Sequence, residues 1–352
     1  MTVDSLAKQD ARWFNDSGLR SDVVVTSRVR LARNLAELPF TGCASEADLV
    51  SVTDRLASWT ASRPSDASLT YFDAADLGHR GCQVLVERHL ISPALANADC
   101  PRGVAVAADE SVSVMVNEED HFRIQAMGAG LDLRGAWEAA RGLEAALGRH
   151  FDFAFSEDWG YLTACPTNAG TGLRASILVH LPGLALTQEL EAAIRAVTQM
   201  RCAVRGLHGE GSAAQGNLYQ VSNQVTLGCT AGDILDSLEG VVGQLLQCEA
   251  EARAAAAREI GPQIEDKAWR AFGLLSHARV LTAEEFMNLS SALRLGAALG
   301  LLPGAEVGML NALMVKTKPS HVQVITGREL EPPERDIVRA EVVRMALSGA
   351  SD

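Results

Sequence analysis

Two periods of apolar and polar positions run through the chain. Residues 21–34, Ser-Asp-Val-Val-Val-Thr-Ser-Arg-Val-Arg-Leu-Ala-Arg-Asn, begin as a strand. A period of two there places Thr26, Arg28 and Arg30 on one face, with Ser27 and Val29 on the other. Residues 104–107, 112–116, 122–127 and 218–226 form further strand-like runs, whereas 45–62, 131–149, 187–201 and 231–259 carry apolar positions at helical spacing. Between them, residues 161–180 read as a strand-like run, an Asn-, Gly- and Thr-rich turn, and a second run over 175–181. The pattern predicts an α+β fold, a central and mostly antiparallel sheet flanked by helices. From about residue 255 Ala-rich helical segments take over, strand signals nearly vanish, and Thr282-Ala-Glu-Glu285 reads as a capping box. The expected organisation is an α+β domain over 1–254 and a small, all-helical C-terminal domain over 255–352.

Composition narrows the function classes. A length of 352 residues accommodates two domains and a large core, and 47% hydrophobic with 21% charged residues is ordinary for a soluble globular enzyme. The net charge of −13 argues against nonspecific nucleic-acid or anionic-membrane partners, though it leaves room for a local basic pocket. The first ten residues contain no apolar leader, and the most apolar tract, 293–314, is interrupted by Arg294, Pro303 and Glu306. A cytoplasmic location is therefore expected. Seven scattered cysteines without C-x-x-C spacing signal neither a disulfide framework nor a zinc site.

Three stretches carry candidate chemistry. In the first, Cys165-Pro-Thr-Asn-Ala-Gly-Thr-Gly-Leu-Arg174, glycines allow close backbone approach and Arg174 offers a fork of donors to phosphate oxygens. It reads as an anion cradle beside a thiol. The segment 170–175 fits a loose G-x-G-x-x-A, as does 209–214, but the dinucleotide fingerprint needs a helix next and Ala175 onward reads as a strand. No P-loop pattern occurs, so arginines are expected to hold any phosphates. In the second stretch, Asn117-Glu-Glu-Asp-His-Phe-Arg123, a continuous strand would line up Glu119, His121, Arg123 and Gln125 on one face. In the third, Arg205-Gly-Leu-His-Gly-Glu210-Gly, glycines flank a carboxylate as in a closing loop. Each alone also reads as an ordinary solvated strand edge or turn. Their joint occurrence shifts the balance.

Thr26-Ser-Arg-Val-Arg30, Asn117–Arg123, residues 165–176 and Arg205-Gly-Leu-His-Gly-Glu210 resemble, in the same order, the signature motifs of the phosphagen (ATP:guanidino) kinases. The resemblance spans about residues 21–254. The motif nearest the N-terminus begins almost at once, without the helical domain that precedes it in free-arginine and creatine kinases, and residues 255–352 form an extension those enzymes lack. Both features resemble the bacterial protein-arginine kinases, as does Arg335-Asp336-Ile-Val-Arg339-Ala340, similar to that group's phosphoarginine-binding motif.

The resemblance implies ATP with Mg²⁺ as co-substrate, and a site open enough to admit an arginine still attached to a protein. It gives the paired carboxylates to Glu119 and Glu210, with Glu119 as general base, and the substrate-facing thiolate to Cys165. Nucleotide phosphates go to Arg28, Arg30, Arg123, Arg174 and Arg205, with Glu118, Asp120 and His121 in support. His208 stands where the free-arginine kinases usually have Arg. Arg335, Asp336 and Arg339 would bind phosphoarginine. The partners implied are proteins with accessible arginine, an activator subunit and an ATP-dependent protease. Residues 293–314 would supply either a homodimer contact or internal packing. Two other readings stay open: a kinase for free arginine or another small guanidine, and a non-catalytic phosphoarginine reader or protease adaptor.

Overall fold

The computed structural model of the protein describes residues 1–14, 18–63, 69–206, 215–302 and 306–348. Its elements run α1 (Val3–Lys8), β1 (Val24–Arg33), α2 (Glu46–Ala61), β2 (Leu69–Asp73), α3 (Ala74–Glu87), α4 (Pro93–Asn97), β3 (Gly103–Ala107), β4 (Val112–Val116), β5 (Phe122–Ala129), α5 (Leu133–Leu147), β6 (Phe155–Ser156), β7 (Gly160–Tyr161), β8 (Leu173–His180), α6 (Pro182–Leu186), α7 (Leu190–Gln199), β9 (Cys202–Gly206), β10 (Leu218–Asn223), α8 (Ala231–His277), α9 (Ala283–Ala298), α10 (Val307–Lys316), α11 (Pro319–Thr326) and α12 (Pro332–Ser348). Eight strands make one sheet, in the order β2-β3-β4-β5-β1-β8-β10-β9. Every neighbouring pair is antiparallel.

Side chains with clear start signals set the long helices. Ser45 and Asp48 exchange side-chain and backbone hydrogen bonds at the start of α2, and Thr230 and Asp233 do the same at α8. Thr282 caps α9 by accepting from the Glu285 N–H. Helix α8 passes through residue 255 without a break and departs from helical geometry at Ile260, two residues before Pro262. The proline lacks an N–H and its ring crowds the carbonyl four residues back, which accounts for the kink.

The sheet has two unlike faces. Val29, Leu31, Ile124, Ala175, Ile177, Val179 and Val221 project into one core with Ala140 and Leu143 of α5 and Leu235, Leu238 and Val242 of α8. The other face is covered in patches. Val104, Val106 and Met115 pack with α1 and α3, while Met127, Leu178 and Leu218 pack with Phe286, Leu293 and Leu313 of the C-terminal helices. Between these two apolar patches the sheet carries charge.

Candidate active site

Register decides which side chains meet. Arg30 sits opposite Gln125 of β5 on one side and opposite Arg174 of β8 on the other, and Arg28 sits opposite Ser176. Arg205 is paired with Gln220 across the β9–β10 edge. With alternate residues facing the same way, Arg28, Arg30, Arg123, Arg174 and Arg205 share one face. Arg28, Arg30, Arg123 and Arg205 line a cavity of about 320 Å³ together with His89, Ser92, Gln125, Gln220 and Lys318.

Burial and crowding of like charge leave their mark on two of these cations. The Arg28 guanidinium is pushed down to about 10 by burial and by Arg123. Burial, Arg28 and Arg123 lower Arg30 well below the usual arginine range, against a weaker opposing effect of Glu118. Arg28 donates to Gln220 Oε1 at 3.0 Å, but the buried Arg30 Nε meets no acceptor among the described residues. A cluster of like charges with an orphaned donor fits an anion with several oxygens.

The carboxylates sit at one end of this cleft, in the β4–β5 turn. Strand β5 begins only at Phe122, so the continuous strand expected through Glu119 and His121 does not form. Asn117 takes a left-handed φ of 57°, tolerated by Asn, and its side-chain amide donates to the Leu49 and Pro101 carbonyls at 2.8 Å each. The turn closes through Asn117 N–H to His121 O at 3.0 Å. His121, fully buried, therefore points away from Arg123, and its Nδ1 accepts from the Leu35 N–H at 3.1 Å. Burial lowers its pKa, which favours the neutral ring. Asp120, 3% exposed, accepts from Asn34 at 2.6 Å and from the Ala164 N–H at 2.7 Å, tying the turn to the Cys165 loop.

Glu118 and Glu119 are set apart by their surroundings. Arg123 Nη1 lies 2.7 Å from both Glu118 oxygens, and the Ser92 hydroxyl donates to the same carboxylate. Burial would raise Glu118, yet Arg123, Ser92 and the Glu119 N–H together hold it below the ordinary value. Glu119 is exposed at the mouth, and its pKa is raised by desolvation and by Asp120 and Glu118, against the pull of Arg123 and Arg174. One carboxylate anchors an arginine, while the surroundings of its neighbour raise that group's pKa.

The Cys165 loop connects the two ends. Asn168 donates to Glu119 Oε2 at 3.3 Å and accepts from Arg174 Nε at 3.0 Å. Thr167 Oγ1 lies 3.0 Å from Cys165 Sγ and accepts from Arg174 Nη2 at 3.2 Å. Thr226 fixes the loop backbone, its hydroxyl donating to the Thr167 and Ala169 carbonyls at 2.9 and 2.8 Å. Gly170, at φ 100°, lies so close to the Thr226 carbonyl that a Cβ would collide with it. Glu119, Cys165 and Arg174 thus belong to one connected cluster.

Not every expected residue joins it. Glu210 and His208 lie outside the described residues. Arg335, Asp336 and Arg339 lie on α12, apart from the residues lining the cleft. Arg339, 2% exposed, donates to the Thr317 and Leu281 carbonyls at 2.8 and 2.9 Å and pairs with Asp336, while Arg335 is half-buried. Sequence reasoning missed His89, Ser92, Gln220 and Lys318 as cleft residues. Strand alternation offered a signal for Gln220. His89 adopts a left-handed φ of 60° after α3, and Lys318 arrives from the C-terminal helices, neither of which local patterns announce.

A family model described as the ATP:guanido phosphotransferase C-terminal catalytic domain matches residues 51–252, and one described as the protein-arginine kinase McsB C-terminal domain matches 261–352. The protein-arginine kinase of Halothermothrix orenii is 44% identical over 345 residues, covering 98% of this chain and 99% of that protein. That of Symbiobacterium thermophilum is 43% identical over 350 residues, covering 97% and 98%. Among solved structures, the duplicated taurocyamine kinase of Schistosoma mansoni with bound transition state analog components has a TM-score of 0.61 at 25% identity, covering 68% of this chain and 34% of that one. A lombricine kinase structure, at 24% identity and TM-score 0.60 over 70% of this chain and 73% of its own, shares the fold. With its all-antiparallel sheet, its arginine-lined face and both family segments in order, the chain belongs to the protein-arginine kinases, a branch of the ATP:guanido phosphotransferases.

Proposed function

We propose that this protein transfers the γ-phosphoryl group of ATP to the guanidinium of arginine residues in proteins. The observation that carries the reading is the connection of the cationic cleft, where Arg30 Nε meets no acceptor among the described residues, to Glu119 through Arg174 and Asn168. Phosphate oxygens satisfy Arg28, Arg30, Arg123, Arg174 and Arg205, which stabilise charge on the transferring group without a P-loop. The cleft is lined by cations and does not fit a bare metal ion; Mg²⁺ enters as part of the nucleotide substrate and keeps water among its ligands.

A guanidinium with a pKa above about 12 is a poor nucleophile until a proton is drawn from it. In the proposed reaction a guanidinium nitrogen attacks the γ-phosphorus, the N–P bond forms, the bond to the bridging oxygen breaks, and ADP leaves. The proton released goes to Glu119, whose pKa is raised by desolvation and by Asp120 and Glu118. Cys165 and Glu210 help to align the guanidinium, roles that rest on the family resemblance. Glu118 positions Arg123, while Asp120 and His121 hold the turn. In the same proposal, Arg335 and Asp336 meet a phosphoarginine, Arg339 positions Asp336, and the modified protein is marked for an ATP-dependent protease. Support for marking comes from the family resemblance alone.

The test is intact-protein mass spectrometry of an unfolded protein incubated with this chain and Mg·ATP at neutral pH, beside Glu119→Gln. Mass steps of one phosphate, localised to arginine and absent with the variant, are expected. Phosphorylation of free arginine without any on protein would replace the reading with a small-guanidine kinase; inactivity on both would leave a reader or adaptor.

A further inference from the structure

We propose that Lys318, immediately before α11, is a nucleotide-binding residue that brings a cation from the C-terminal helices into the cleft to hold a phosphate of the bound nucleotide. The inference rests on the nucleotide reading of the cleft and extends it to a residue in the second family segment, 261–352, outside the 51–252 segment that holds Arg123, Arg174, Arg205 and the turn carboxylates.

Lys318 lines the same cavity as Arg28, Arg30, Arg123 and Arg205. It is half-buried there, although a lysine stem ordinarily carries its ammonium to water. Its backbone is fixed on both sides. Before it, the Thr317 carbonyl accepts from Arg339 Nε at 2.8 Å and the Thr317 hydroxyl donates to the Leu313 carbonyl at 2.6 Å. After it, the Ser320 and His321 N–H groups donate to Glu87 at 2.8 and 3.1 Å, and His321 Nδ1 lies 2.7 Å from the same carboxylate. Glu87 also lines the cavity, so this carboxylate latches the start of α11 to the cleft wall.

The electrostatics then call for an anion. Burial lowers the Lys318 pKa and Arg339 adds to it, while Glu87 opposes both. Lys318 adds a fifth cation to a cavity lined by four arginines and one carboxylate, Glu87, so the lining carries an excess of positive charge that a nucleotide polyphosphate would complement. A long stem with rotatable donors suits a phosphate oxygen that moves during transfer, where a guanidinium fork would hold one geometry. Nucleotide affinity would accordingly depend on the C-terminal helices being docked, although the five arginines all lie on the sheet.

Calorimetric titration of the full-length protein with Mg·ADP tests this in wild type, Lys318→Met and Lys318→Arg, with thermal unfolding of each ligand-free variant. Loss of one charge-assisted phosphate contact is expected to weaken Kd for Mg·ADP by on the order of 10-fold. KM for Mg·ATP should rise in parallel, with a smaller change in kcat, and Lys318→Arg should recover most of the affinity. Equal Kd for Lys318→Met and wild type would overturn the proposal. So would a loss shared by both variants together with a lowered Tm, which would make Lys318 a packing residue. Glu119→Gln separates this test from the parent reading. If that variant still transfers phosphate, the proposed base is wrong while the Lys318 result stands; if wild type fails to bind Mg·ADP, both readings fall.

Discussion

Neighbouring residues of β1 face opposite environments. Val29 and Leu31 enter a dry core closed by α5 and α8, whereas Arg28 and Arg30 enter a cleft where burial and mutual repulsion lower their pKa values. Burying one such aliphatic side chain contributes about 1.5–3 kcal/mol. Crowding several guanidinium groups on the opposite face works against the folded state until an anion arrives. The contrast teaches that this sheet separates stability from chemistry by a period of two. One face holds the strands together, and the other uses their rigidity to keep like charges in place.

The sharpest way to break the comparison is at the cleft mouth. Glu119→Gln should lower kcat for arginine phosphorylation by about 100- to 10,000-fold, the usual worth of a positioned base, with Tm unchanged. A drop in Tm of several degrees would show Glu119 to be a structural member of the turn. On the opposite face, Ile177→Ala should cost about 2–5 kcal/mol in denaturant unfolding, as expected for a fully buried aliphatic residue in a well-packed core, and leave the KM for Mg·ATP near wild type. Arg30→Met, on the cationic face, should do the reverse. Phosphoryl transfer should fall by roughly 100- to 1,000-fold, while ligand-free stability holds or rises because repulsion is relieved.

A smaller effect separates two arginines of α12. Arg339→Ala orphans the Thr317 and Leu281 carbonyls and should cost about 1–3 kcal/mol, whereas Arg335→Ala, at a half-buried site, should leave stability near wild type. Equal losses would mean that Arg335 also holds the helix in place. The mildest test is pH. Glu119 is raised in the folded protein, so the folded chain holds its proton to higher pH than the unfolded chain does. Its contribution to stability is therefore greatest in acid and falls as pH rises through the folded pKa. The acid limb of the kcat/KM profile should be displaced upward from the ordinary glutamate value, and Glu119→Gln should erase that limb.

Much of the architecture was legible because its signals are local. Alternation in 21–34 placed Arg28 and Arg30 on one face, and the strands, the long helices and the Thr282 cap follow residue patterns within one or two turns of chain. His121 was misplaced for a reason a period of two cannot contain. Asn117 turns the backbone, and Leu49 and Pro101, distant in sequence, supply the acceptors that fix its amide. The sequence grouped Arg339 with Arg335 and Asp336 by resemblance, and gave no sign of the carbonyls from two other segments that accept from it. Lys318 gave no local signal, since its place in the cleft depends on Glu87 holding α11.

By itself the sequence determined the period of each strand, the helix starts and the order of the arginine- and carboxylate-bearing motifs, because these depend on neighbours a few residues apart. Only the tertiary structure decided that five arginines from four strands share one face, that Asn168 joins Arg174 to Glu119, and that the C-terminal helices reach the cleft. Those outcomes rest on strand register and on side chains packed across long separations, where burial turns a contact between remote residues into a determinant of charge and position.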